Sequence, residues 1–322
     1  KYTIPIIILQ GAVLNMLYKN LGINEKGHLT FAGIDTVNAA NDYGTPLYLI
    51  DEDGLRARCR MYKSSFSELF PAGSLPIFAG KALCFKKIYG IIDEEGLGAD
   101  VSSIGELYTA VNAGFPSEKI FFHGSNKTES DVASAIDMNI GCFICDNLWE
   151  LESIDREAGY KGRRQKVILR LTPGIDPHTF DAVSTGKVDS KFGVSIETGQ
   201  ARVFTLQALE YKNIELIGYH CHIGSQVFDG ATFTDAAKIM IGFSAAIRDE
   251  CGFVPEYLDL GGGFGVPYTE DDKKLDYVPE LEKISLALIE CCGEHGLKVP
   301  KIIMEPGRSI TADNGIPLYT VG

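Results

Sequence analysis

The sequence predicts an α/β protein whose parallel strands close into a (β/α)8 barrel of the TIM type. Three observations predict it. Short apolar β-type runs alternate with longer stretches of helical period, the pattern that places parallel strands inside and helices outside. Eight such runs fall between residues 76 and 305 of a 322-residue chain, the usual span of a closed barrel. Glycines and charged residues gather at one end of nearly every run. Alternation alone also allows an open, doubly wound sheet.

The elements follow in order. The opening Tyr2-Thr3-Ile4-Pro5-Ile6-Ile7-Ile8-Leu9 is apolar but too short to span a bilayer, and no convincing small-residue cleavage site follows it. Residues 18–50 read as a strand or two, with Asn24-Glu25-Lys26-Gly27 as a turn and 46–50 as a strand. A helix is expected over 53–70. The eight candidate barrel strands are 76–80, 97–101, 119–123, 140–145, 167–172, 215–221, 256–260 and 301–305. Amphipathic stretches fill most gaps, for example 104–113, 131–138, 233–248 and 278–292. The Gly/Asp/Ser-rich connection 174–195 is long enough to read as a functional loop. After the last barrel strand, 316–321 reads as a strand leaving the barrel.

Composition narrows the function classes. An apolar fraction of 45% with 23% charged residues is the balance of a globular protein with a sizeable core. A net charge of −13 argues against a nucleic-acid partner, which needs a basic surface. The eight cysteines follow no disulfide framework and read as buried, reduced thiols of a cytoplasmic protein. Cys142 and Cys145 have C-x-x-C spacing, but they sit in a strand and lack a second pair, so no metal is expected there.

A barrel carries its chemistry at the C-terminal ends of its strands. Those ends deliver Lys81, Asp100, His123, Arg170 with Pro173-Gly174, His220 and His222, Gly261-Gly262-Gly263, and Glu305 with Arg308. A lysine ending a buried strand is costly unless paired or used. Desolvation would lower its pKa and suit it to imine formation with an aldehyde cofactor; reaching to solvent is the ordinary alternative. Gly261-Gly262-Gly263-Phe264-Gly265 permits close backbone approach to a phosphate. The run comes late, and Val266-Pro267-Tyr268 breaks the helix a dinucleotide site would need. His220 and His222 fall on one strand face. With Glu305 they could hold a metal, stack on a flat ring, or simply fill a core. Glu305 could face a pyridine nitrogen, and Arg308 could grip a carboxylate, unless the two only pair with each other.

Together these residues resemble the fold-type III decarboxylases that use pyridoxal 5'-phosphate, and within them the diaminopimelate branch. The resemblance runs from about residue 23 to 322. It rests on Phe78-Ala79-Gly80-Lys81-Ala82, Gly96 to Ser103 with Gly105-Glu106-Leu107, Phe122-His123-Gly124 with Asn126-Lys127, and Pro173-Gly174-Ile175-Asp176-Pro177-His178-Thr179. Ser184-Thr185-Gly186, Asp189-Ser190-Lys191-Phe192-Gly193, His220 to Gln226, Gly261 to Gly265 and Glu305 to Arg308 complete it. The loop from Pro177-His178-Thr179 to Ser184-Thr185-Gly186 is what favours the diaminopimelate branch over the ornithine and arginine branches.

The resemblance implies that Lys81 holds the cofactor as a Schiff base and Glu305 faces its pyridine nitrogen. His222 would stack on the ring, and Ser225, Gly262, Gly263, Gly307 and Arg308 would surround the phosphate. Asp100, His123 and Arg170 would support Lys81 and the cofactor, and Arg308 would also contact a substrate carboxylate. The implied reaction is decarboxylation of meso-2,6-diaminopimelate to L-lysine and CO2, in a cytoplasmic homodimer with sites at the interface. Family members continue for roughly another hundred residues, through a β domain with a Cys-Glu-Ser-type motif that supplies a proton donor. On that pattern 1–50 contribute strands to the β domain, 51–310 form the barrel, 311–322 begin a truncated β domain, and this chain alone would be catalytically incomplete. Phe180 stands where the family often has histidine. Another fold-type III decarboxylase or racemase, or a non-catalytic cofactor-binding protein, is the alternative.

Overall fold

In the computed structural model, which describes residues 17–175 and 192–322, eight apolar runs become parallel strands. They are Leu75–Ala79, Gly98–Val101, Ile120–Phe122, Cys142–Cys145, Gln165–Thr172, Ile214–His220, Tyr257–Asp259 and Lys301–Met304, here strands one to eight. Each pairs in parallel with the next. Strand eight then pairs with strand one through Ile303↔Leu75 and Met304↔Pro76, so the sheet is a closed barrel and the open alternative is excluded.

Period-two alternation decides what each strand turns inward. Ile77, Phe121, Cys142, Ile144, Ile168, Ile217 and Ile303 pack together as the barrel's inner cluster. Full burial of each such side chain stabilises by roughly 1.5–3 kcal/mol before entropy is counted. Residues paired side by side share a face. Asp100 lies beside Phe121, and Asp259 lies beside Ile303, with His220 and Arg170 following in the same row. The interior therefore changes from apolar to charged towards the strands' C-terminal ends. A bulge at Leu216/Gly218 adds one residue to strand six and shifts its register.

The helices outside begin where polar side chains satisfy free N–H groups. Ser103 accepts from Glu106 N, Asn147 from Glu150 N, and Thr128 forms a reciprocal capping box with Asp131. The predicted helices correspond to Glu52–Leu69, Ile104–Asn112, Glu129–Asp137, Gly230–Cys251 and Tyr277–Glu294. Within the expected 174–195 loop, Val194–Ser195 forms a short parallel strand beside Leu171–Thr172. Residues 176–191 of that loop, including Pro177, His178, Thr179, Phe180, Ser184, Thr185, Gly186, Asp189, Ser190 and Lys191, lie outside the described residues.

The chain divides into two compact units. The larger is Glu52–Val266 with Lys273–Asp313 and contains the whole barrel. In the smaller, Leu21–Ile23 and Leu29–Phe31 form an antiparallel hairpin around the predicted turn, and Leu47–Ile50 pairs antiparallel with Gly315–Leu318. A helix at Thr36–Tyr43, which the sequence reading did not anticipate, starts on Asp35, whose carboxylate accepts from Val37 N and Asn38 N. Two of the eight free cysteines, Cys84 and Cys251, are exposed, a correction to the expectation of uniform burial. Among the described residues no helix is long and apolar enough to cross a membrane.

Candidate active site

One step past the strand ends, the same alternation brings Lys81, His123, His222 and Glu305 to the mouth. There they line one cavity of about 590 Å³, together with Arg170 and His220. A volume in this range suits a small cofactor and substrate.

Lys81 sits on a short turn after strand one, its side chain about half exposed to the cavity. Its Nζ lies 3.8 Å from Asp100 Oδ2 at the end of strand two. The expectation of a lowered lysine pKa is overturned. Asp100 raises it, burial opposes, and Glu305 adds to the rise, so the amine is held as an ammonium. Asp100 is fully buried, and neither of its oxygens has a hydrogen bond within the described residues. Burial pushes its carboxyl up, against the pull of His123 and Lys81.

Glu305 is clasped by two imidazoles. His123 Nε2 is 2.8 Å and His220 Nε2 3.4 Å from the same oxygen, Oε1, and the rings meet edge-on with centroids 5.1 Å apart. Burial alone would raise the Glu305 carboxyl, but the imidazoles overcome it and hold it well below the usual range. Burial lowers His220 to about 4, so at neutral pH it serves Glu305 as a neutral partner. His222 Nδ1 accepts from Gly262 N at 3.3 Å, which places the ring proton on Nε2. Burial and Lys81 hold this ring neutral as well.

Under this group lies Asp259, a residue the sequence reading passed over. It is fully buried, and its Oδ1 accepts from Gly261 N at 2.9 Å while Oδ2 has no donor among the described residues. Burial, then the charge of Glu305, pushes its carboxyl well above the ordinary value. Two acceptor-only carboxylates cannot bond without a proton, so Asp259 keeps one and Glu305 carries the charge.

Ser225, Gly262, Gly263, Gly307 and Arg308 do not line the cavity; they occupy the adjoining turns after strands six, seven and eight. Arg308 Nε donates to Ser225 Oγ at 3.1 Å. The glycine turn packs against its neighbours too closely for any side chain. A Cβ on Gly262 would meet Glu305 O at 2.1 Å, and one on Gly263, at φ +117°, would meet Gly224 O at 2.0 Å.

Strand four also delivers a group that the strand-end reading omitted. Asp146 is buried, and Arg170 Nε approaches its Oδ1 at 3.6 Å while the guanidinium lies 4.5 Å from the Phe192 ring centre. Alternation from Ile144 could have found it.

These residues fit pyridoxal phosphate: an amine beside a buried carboxylate without hydrogen bonds, an anion framed by imidazoles, and side-chain-free turns next to a serine and an arginine. The metal alternative had paired His220 and His222 with Glu305. The structure instead brings His123 to that carboxylate, with one possible ligand atom from each of His123, His220 and Glu305 within 4.8 Å of the others.

The family model for the pyridoxal-binding domain of pyridoxal-dependent decarboxylases matches residues 52–312. Among curated proteins, the diaminopimelate decarboxylase of Bacillus subtilis is 42% identical over 299 residues, covering 93% of this chain and 68% of the relative. Among solved structures, the M. jannaschii diaminopimelate decarboxylase in complex with L-lysine superposes with a TM-score of 0.81 at 32% identity, covering 93% of this chain and 69% of that one. The Helicobacter pylori enzyme, also complexed with L-lysine, gives 0.77 at 29% identity, covering 87% and 68%. The fold, the charged mouth and these likenesses agree: the chain belongs to the pyridoxal-dependent decarboxylases, in the diaminopimelate decarboxylase family.

Proposed function

We propose that the barrel mouth decarboxylates meso-2,6-diaminopimelate to L-lysine and CO2 with pyridoxal 5'-phosphate, as a step of lysine biosynthesis. The observation that carries this reading is that Lys81 and Glu305, distant in sequence, face one cavity beside the seam joining strands one and eight. The cofactor supplies an aldehyde that condenses with amines and a ring that withdraws electrons from the carbon losing CO2.

The chain's own residues supply the rest. Lys81 would hold the cofactor's aldehyde through its amine, with Asp100 holding that amine at the turn. Glu305, kept anionic by His123 and His220, would hold a proton on the cofactor's nitrogen. His222 would lie against the cofactor as a neutral imidazole. Ser225, Gly262, Gly263, Gly307 and Arg308 would hold the phosphate, and Arg308 would also orient a substrate carboxylate. Arg170 steadies the mouth on the strand-five side. The C–C bond to one carboxylate breaks, CO2 leaves, and a proton takes its place on carbon.

A cytoplasmic homodimer with its sites at the interface belongs to the same proposal. Sedimentation equilibrium checks it. We likewise assign the strands outside the barrel unit to a β domain.

The test is absorbance. An imine of the cofactor absorbs near ~420 nm, and borohydride should fix it to the protein. Lys81→Ala should abolish the fixed product, and the unaltered protein should release CO2 from meso-diaminopimelate. Release from ornithine but not from diaminopimelate would reassign the substrate.

A further inference from the structure

Lys127, at the wall of the same cavity, and Glu150 form an ion pair to which the proposed chemistry gives no role. The Lys127 side chain is 1% exposed and that of Glu150 2%, with Nζ 2.5 Å from Oε1. Burying such a pair is seldom worth its desolvation; apolar residues of similar volume usually do as well or better. Here burial outweighs Lys127 and pushes the Glu150 carboxyl above its usual range. Fold stability alone gives little reason for this pair.

Its hydrogen bonds point elsewhere. An ammonium has three donors. Two of those of Lys127 reach Gly124 O at 2.7 Å and Ile144 O at 2.9 Å, while Glu150 faces it as an ion pair. Gly124 follows His123, the imidazole nearest Glu305, and takes φ +108°. Ile144 is the next-to-last residue of strand four, two residues before Asp146. The second oxygen of Glu150 accepts from Asp146 N at 3.0 Å, and Asp146 faces Arg170. One pair thus fixes the backbone beside His123, which lines the cavity, and beside Asp146, which faces the cavity-lining Arg170, on the turns after strands three and four.

We propose that Lys127 and Glu150 are positioning residues, a buried clamp that sets His123 against Glu305 and Asp146 against Arg170. An apolar pair could fill the same volume but could not hold those carbonyls and that amide. The proposal rests on the reading of the mouth as a cofactor site.

The experiment compares Lys127→Met with the double variant Lys127→Met/Glu150→Leu. The single variant strands a buried carboxylate, so both its Tm and its affinity for pyridoxal 5'-phosphate should fall. The double variant should recover most of the Tm, while its affinity, titrated by absorbance, stays about ten- to a hundredfold down, the usual cost of losing a supporting partner. Normal affinity in the double variant would overturn the proposal.

Should the double variant not fold, Glu150→Gln keeps the size and an acceptor for Asp146 N. The expected loss is about threefold or more, the scale of one weakened charged hydrogen bond; an unchanged affinity there would equally overturn it. The His123 ring resonances in the cofactor-free protein give a separate readout. They should move in each variant, and unmoved resonances count against the clamp. Failure of the unaltered protein to take up the cofactor would instead sink the reading of the mouth itself.

Discussion

His123 Nε2 stands 2.8 Å from Glu305 Oε1, joining the turn after strand three to the end of strand eight across the barrel mouth. The contact keeps a buried carboxylate charged. Glu305→Gln should leave the cofactor bound to Lys81 but lower kcat by about 10²–10³-fold, the scale for removing one preorganised electrostatic group. Retained 420-nm absorbance with lost turnover is the expected pair of readings. Near-normal turnover would show that the anion is not needed.

The proton on Asp259 can be tested with two substitutions. Asp259→Asn keeps an acceptor for Gly261 N and adds a permanent donor towards Glu305, as a protonated acid would. Asp259→Ala leaves the Gly261 N–H unsatisfied, at about 1–3 kcal/mol. Urea melts should place Asn near the unaltered protein and Ala well below it. Equal damage from both would mean that Asp259 is ionised.

Acid should weaken the cofactor-free protein in a defined window. His220 has an ordinary value of 6.5 and falls to about 4 when folded, so the folded protein binds fewer protons over that interval. Its contribution is complete above pH 6.5 and lost as pH falls towards 4. At about 1.4 kcal/mol for each pH unit, the loss is on the order of 3 kcal/mol. His220→Gln should flatten the fall in Tm between those values. An unchanged slope would assign the loss to other groups.

Gly262→Ala tests the cradle. Its Cβ would lie 2.1 Å from Glu305 O, a backbone atom that cannot step aside cheaply. Strands seven and eight would have to part at their ends, at about 2 kcal/mol or more. Cofactor affinity should fall with stability. A variant that binds normally would remove this turn from the phosphate site.

Much of this was legible because strand boundaries and strand-end residues are written in local pattern. All eight barrel strands lie within two residues of their expected limits. Lys81, His123, Arg170, His222 and Glu305 converge as their positions after apolar runs implied. Asp146 and Asp259 were missed although the same alternation marks them, since an aspartate after a short run also reads as a turn residue. The sign of the Lys81 shift depends on Asp100 sitting on the neighbouring strand, a contact that no local pattern carries. The Thr36–Tyr43 helix escaped because its residues lack a strong apolar stripe and it begins on a single aspartate.

The hydrogen-bonded seam between Ile303 and Leu75 has a consequence for the order of assembly. The amine and its acid belong to the first and last staves, so neither half of the ring alone offers vitamin B6 a complete berth. Capture must wait until the circle shuts, one of the slowest kinds of event because the partners are so remote along the chain. Once inside, the ligand would act as a bolt across the join, and reopening should slow more than closing quickens.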